Sequence, residues 1–232
     1  MVEGLNNPLR AARALLRLEE RAKAHGLTTE MSGDMAEFKR ERLRVRNDLV
    51  SPMFDDEINA FGDNKAFWMR ALDENNETIM LQAYRVDFID TNLADWSLTW
   101  MLGLYHKRSE PVVPTFVRPP MGSQTEQVKG QVVYFGEAWI HPDRRRESLP
   151  DLFSRFGMIL ALLKWHPTAI WGCMYEHLSR RGHSVRWGYP IIEPSVYRWE
   201  WEPEGASKNE WLMLARRSDL EVLIDEALFR ED

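Results

Sequence analysis

Three consecutive arginines, Arg144, Arg145 and Arg146, stand between a strand-like run and a helical one. Val132 to Ile140 is aromatic and β-branched, with one acid, Glu137, inside it. His141-Pro142-Asp143 makes a turn, the arginines follow, and Ser148-Leu149-Pro150-Asp151 opens a stretch with apolar residues at 152, 153, 156, 159, 160 and 163, a helical period. Proline lacks an N–H and has a helical φ, so Pro150 suits the first position of that helix. Strand, basic turn and helix N-terminus in that order hold an anion: free N–H groups and the positive end of the helix dipole face the turn, with guanidinium groups beside them.

Other side chains could also react. Cys173 and His177 would form a nucleophile and base at i, i+4 if one helix spanned both, but Thr168 to Met174 reads as a strand that carries the cysteine. Tyr175, Tyr189 and Tyr197 supply phenols. His141, His166, His177 and His183 lack the tight spacing of metal ligands, so no metal is expected.

The elements that would position these groups can be read in order. Pro8 to His25 is a helix with Asn7 as its cap, Pro8 at its first position and Gly26 at its stop. Its expected apolar face runs through Leu9, Ala12 and Leu16, widened by Leu15, Leu18 and Ala22. Thr28 to Gly33 reads as a linker. Phe38 to Asn47 is a charged run that fits either a solvated helix or an edge strand. Phe67 to Leu72 and Thr78 to Ile89, joined through Asn75-Asn76, read as a hairpin. Asp95 to Tyr105 reads as a helix with an aromatic stripe, and the Pro- and Gly-rich residues from Glu110 to Gly130 as a connection or flap. Tyr175 to Arg181 is a helical turn or two stopped by Gly182, Val196 to Glu202 and Trp211 to Ala215 are strands, and Asp219 to Phe229 is a helix capped by Ser218. Helices and strands that alternate after a hairpin argue an α/β or α+β fold.

Phe135-Gly136-Glu137-Ala138-Trp139-Ile140-His141-Pro142-Asp143-Arg144-Arg145 resembles the fourth strand and following turn of the GCN5-related N-acetyltransferase (GNAT) superfamily. In that family an Arg/Gln-x-x-Gly-x-Gly/Ala loop wraps the pyrophosphate of acetyl-CoA, and here it aligns with Arg145 to Pro150. The arginine matches, while Ser148 and Pro150 replace the glycines that let backbone approach phosphate closely. The strand–helix–Gly order around residues 168–182 resembles the family's fifth strand and fourth helix, so the likeness spans roughly Phe67 to Arg216.

The resemblance implies a GNAT-like mixed, mostly antiparallel central sheet flanked by helices, with an extra helical arm over residues 1–30 and the domain over 31–232. It implies acetyl-CoA or another acyl-CoA as co-substrate, an amine acceptor, and direct attack of the amine on the thioester. Backbone groups of Ile140 and of Arg145, Arg146, Glu147, Ser148 and Leu149 would hold the cofactor's oxygens. Glu137 would be the general base, a role that needs a carboxylate whose pKa burial has raised. The family's usual tyrosine acid falls at Leu178, so Tyr189 is the substitute expected to protonate the leaving thiolate. The missing glycines and tyrosine also suit a GNAT-like binding or scaffold protein that has lost the cofactor loop, and an unrelated α+β interaction domain is the third reading.

The 232 residues are 44% hydrophobic and 28% charged, as in an ordinary globular protein. A net charge of −6 argues against a dedicated nucleic-acid binder. One cysteine excludes an internal disulfide and points to a reducing cytoplasm, and no apolar run reaches the ~20 residues of a membrane span. The apolar face of the first helix is expected to be covered by the domain or by a second copy in a homodimer.

Overall fold

The computed structural model describes residues 7–116, 119, 121–145 and 147–229. The β-prone runs on either side of Asn75-Asn76 pair as an antiparallel hairpin, β2 (Ala66–Leu72) and β3 (Thr78–Ile89). Asn76 takes φ +60°, which asparagine tolerates, and the Asp73 carboxylate accepts the N–H groups of Asn75 and Glu77 at 2.9 Å each. β5 (Gly130–Ile140) lies antiparallel to β3 on one side and parallel to β6 (Ala169–Tyr175) on the other.

The parallel pairing covers only Val132–Tyr134 against Ala169–Trp171, and beyond it the two strands part. A bulge in β5 lies just past this point. Leu81 faces Trp139 but Ala83 faces Gly136, so β5 carries one extra residue there, and Glu137 takes φ +58°. Such a bulge bends a strand and re-aims its side chains. At the fork the strands are close: a Cβ on Gly172 would lie 2.7 Å from the Phe135 carbonyl oxygen.

β8 (Asn209–Arg216) lies between β6 and β7 (Ile191–Trp201), antiparallel to both. β1 (Thr28–Ser32) and β4 (Val113–Phe116) are the two edges. Among the described residues the eight strands form one sheet in the order β1-β2-β3-β5-β6-β8-β7-β4, and only the β5–β6 pair is parallel. The mixed, mostly antiparallel sheet flanked by helices is therefore present.

Each face of the sheet has its own core. α1 (Pro8–Ala24), α4 (Leu149–Trp165) and α7 (Arg217–Phe229) cover one, where Phe67, Tyr84, Val133, Phe135 and Ile170 meet Phe153, Met158 and Leu162. α2 (Met35–Arg46) and α3 (Leu93–Lys107) cover the other, where Trp68, Tyr134, Trp171 and Trp199 meet Phe38 and Leu104. Two four-residue helices, α5 (Glu176–Ser179) and α6 (His183–Arg186), follow β6.

Several local expectations are corrected. Thr28 to Ser32 is an edge strand rather than linker: its polar side chains stay largely exposed while its backbone pairs with β2. β1 spans residue 30, and α1 packs into the core on one face of the sheet. The buried face of α1 is Ala11, Ala14, Leu18 and Ala22, and Leu9 and Leu16 are 68% and 60% exposed. Small residues let α1 approach its neighbours closely, and that outweighs the larger apolar content of the other face. α4 starts at Leu149, one residue before Pro150. α7 starts at Arg217, so Ser218 lies inside it, and the Asp219 carboxylate accepts the Arg216 N–H at 2.8 Å.

Candidate active site

Where β5 and β6 part, a cavity of about 710 Å³ passes through the sheet. On the α4 face it is walled by Phe153, Met174, Leu178 and Trp187. On the opposite face it meets Tyr105, Tyr134, Cys173 and Glu210. Alternation along the strands produces this: Phe135 and Met174 point to one face, Tyr134 and Cys173 to the other.

The basic turn lies at the α4 end. His141 donates its N–H to Ile79 at 2.8 Å, so strand alternation turns the N–H of Ile140 away from β3, toward the fork. Arg145 is exposed at the rim and donates from Nε to the Ile140 carbonyl at 3.3 Å. Arg144 is committed elsewhere. It pairs with Glu147, which holds the guanidinium pKa up, and donates to the His25 carbonyl at 3.1 Å. The Glu147 carboxyl is correspondingly held below its usual range and lies 3.7 Å from His25 Nδ1. Ser148 caps α4 with φ +55°, a left-handed conformation that costs a non-glycine residue about 1–2 kcal/mol. The Leu149 side chain is wholly buried in the core, leaving only its backbone for a ligand. Arg146 lies outside the described residues.

Glu137 is buried with its side chain 4% exposed, and both of its oxygens are engaged. Arg42 Nε donates at 2.6 Å, the Ser51 N–H donates at 2.7 Å, and Arg46 lies 3.6 Å away. These donors tie the carboxylate to α2 and to the segment that follows it. Tyr189 is wholly buried against Phe135, with ring centroids 5.9 Å apart, and does not line the cavity; burial pushes its phenol well up. The structure thus brings Glu137, Ile140 and Arg145 to one cavity and leaves Tyr189 behind its wall.

Tyr175 does line the cavity and donates to the Gly205 carbonyl, whereas Tyr197 is buried and bonds Ser97 Oγ at 2.6 Å. Cys173 faces the cavity from β6 and His177 sits exposed on α5, so no single helix carries both. Burial pushes the thiol well up, which disfavours the thiolate a nucleophile needs. No cluster of metal-ligating side chains occurs among the described residues.

Glu210 was not visible in the sequence as a site residue. It lies early in β8, and burial lifts its pKa to about 7 against the pull of the Trp199 indole, which donates at 3.0 Å. Its sequence signal is one acid ahead of the apolar run Trp211 to Ala215. Arg42 was hidden in a charged run that is helical, with Phe38 and Arg42 buried and Leu43 half exposed.

The hairpin, the parallel β5–β6 pair and the fork after it are the features the family resemblance implies. The fold is GNAT-like. No family model matches the sequence, and no curated protein matches it. Among solved structures, NAA60 of Arabidopsis thaliana in complex with acetyl-CoA is similar at 10% identity, over 82% of this chain and 98% of that one, with a TM-score of 0.48. The spermidine/spermine N-acetyltransferase SpeG of Vibrio cholerae is similar at 11% identity, over 85% and 96%, with a TM-score of 0.48. The acyl-homoserine lactone synthase BjaI is similar at 15% identity, over 89% and 92%, with a TM-score of 0.45.

Proposed function

We propose that this chain is an acyl-CoA-dependent N-acyltransferase in which an amine attacks the thioester directly. The observation that carries the reading is the cavity that passes through the sheet at the β5–β6 fork. Its lining includes a cationic turn on one face of the sheet and a buried carboxyl on the other, so reactants held at the two faces would meet between the strands. Holding two reactants in this way removes much of the entropic barrier to a bimolecular step.

The residues present fit an acyl-CoA. Past Tyr134 no strand among the described residues pairs with the edge of β5 toward β6, so an extended, amide-bearing arm can lie along it as a short strand would. Arg145, with the backbone of Ile140 and of residues 147–149, would hold the pyrophosphate. Bound acyl-CoA supplies the activated carbonyl; this chain's groups align it, exclude water and receive the amine's proton. The thiol of Cys173, kept protonated by burial, fits direct transfer better than an acyl-cysteine intermediate. No helix among the described residues is long and apolar enough to cross a membrane, and the reading places the enzyme in the cytoplasm.

A second reading, a GNAT-like binding or scaffold protein, is favoured by Ser148 and Pro150. The first puts a Cβ on left-handed backbone and the second removes an N–H donor from the first turn of α4. Calorimetry with CoA, acetyl-CoA and a long-chain acyl-CoA separates the two. Binding should weaken about ten- to a hundredfold in Arg145→Ala, since a charge-assisted contact contributes on the order of 1.5–3 kcal/mol. Absence of binding by all three leaves the scaffold reading.

A further inference from the structure

We infer that Glu210, on β8, is the group that captures the acceptor amine as an ammonium ion and takes its proton. This rests on the acyltransferase reading and names the residue that reading lacks. The geometry is that of a buried acid facing a cavity with no counter-charge. The Glu210 side chain lines the cavity on the face opposite α4. Among the described residues its carboxyl accepts one hydrogen bond, from the Trp199 indole, and no arginine or lysine pairs with it.

Its neighbours on α3, β5, β6 and β7 are neutral. Tyr105 faces it from α3, Tyr134 from β5, Cys173 and Tyr175 from β6, and Tyr197 from β7. The phenols and the thiol are held protonated by burial. Two arginines, Arg42 and Arg46, face the cavity from α2, but Glu137 and Asp48 engage both. Glu204 adds a carboxylate from the turn after β7. An ionised Glu210 therefore lacks a cation, and an ammonium entering from this side supplies one. Glu137, whose oxygens are already engaged, offers neither function.

The step balances as follows. The ammonium N–H passes its proton to the Glu210 carboxylate, which becomes a carboxylic acid, and the amine regains its lone pair. That pair attacks the thioester carbonyl carbon and forms the C–N bond. The intermediate collapses with cleavage of the C–S bond, the departing thiolate accepts the nitrogen's second proton, and an amide and CoA thiol remain. Glu210 then releases its proton to solvent. A base tuned near neutrality suits this exchange, and burial sets the Glu210 pKa at about 7.

The test uses the full chain and two measurements. CoA binding is read by calorimetry in the wild type and in Glu210→Gln and should be the same in both. Thiol release from acetyl-CoA is then followed with butylamine, putrescine and a lysine dipeptide as probe amines. In the wild type, kcat should rise with pH through about 7. In Glu210→Gln that limb should vanish, with kcat down roughly a hundred- to ten-thousandfold, and Glu210→Asp should restore part of both. A wild type that does not bind CoA overturns the transferase reading beneath the proposal. A wild type that binds CoA yet releases no thiol with these amines overturns the transferase reading too, whereas a Glu210→Gln variant that keeps rate and pH limb overturns the role of Glu210 alone.

Discussion

Arg42 and Glu137 stand 95 positions apart in sequence, yet their side chains meet at 2.6 Å with each only 4% exposed. The pair ties α2 to the bulge of β5, so it fixes the strand whose bend opens the fork. Glu137→Gln should behave as a structural lesion. Arg42 keeps Asp48, so losing this one charge-assisted contact should cost about 1.5–3 kcal/mol. Urea unfolding should show that loss, and the double variant Arg42→Met/Glu137→Gln should recover a large part of it. A Glu137→Gln protein of wild-type stability would contradict the structural role.

The Glu210 carboxyl makes stability depend on pH in a direction opposite to that of most acids. Its pKa is raised on folding from 4.5 to about 7, so the neutral form is the one the fold favours. The contribution is fully present below pH 4.5 and is lost as pH rises through about 7. The shift corresponds to about 3 kcal/mol. Urea midpoints measured across this window should fall with pH in the wild type relative to Glu210→Gln. Trp199→Phe, which removes the hydrogen bond to the carboxylate, should push the Glu210 transition to higher pH.

Ser148 holds the φ +55° that a glycine adopts without strain. Ser148→Gly should therefore stabilise the turn by up to about 1 kcal/mol, the relief of left-handed strain being partly offset by glycine's greater entropy in the unfolded chain. It also removes the Cβ from the anion-facing turn, so CoA affinity measured by calorimetry should rise severalfold. Unchanged affinity would place the pyrophosphate elsewhere.

Local chemistry explains which elements were legible in the sequence. The hairpin announced itself through Asn75-Asn76 between β-prone runs, and the strand–turn–helix from Val132 to Lys164 through a change of hydrophobic period. β1 was illegible because Thr-Thr-Glu-Met-Ser has no apolar alternation; its stability comes from backbone pairing along an edge. Arg42 looked like surface charge within its run and Glu137 like a general base inside its strand, and only the folded chain brings the two together. Glu210 is the clearest case: its character comes from burial beside Trp199 and from phenols on α3, β5, β6 and β7, which only the folded sheet gathers around it.

Arg10 of α1 pairs with Asp225 of α7 across 215 positions of sequence, and both helices pack against α4. On a ribosome, α1 would emerge before α4 and wait for α7 until every strand of the sheet has been made. Until α7 is made, the parts of α1 and α4 that it covers in the folded chain stay open, although the sheet is already there to pack against the rest. The layer beneath the sheet thus closes late, by contacts of high sequence separation, which folds slowly and leaves apolar surface open to chaperones or aggregation meanwhile. Shortening α7 from its end should lower the yield of soluble protein more steeply than it lowers the stability of the molecules that do fold.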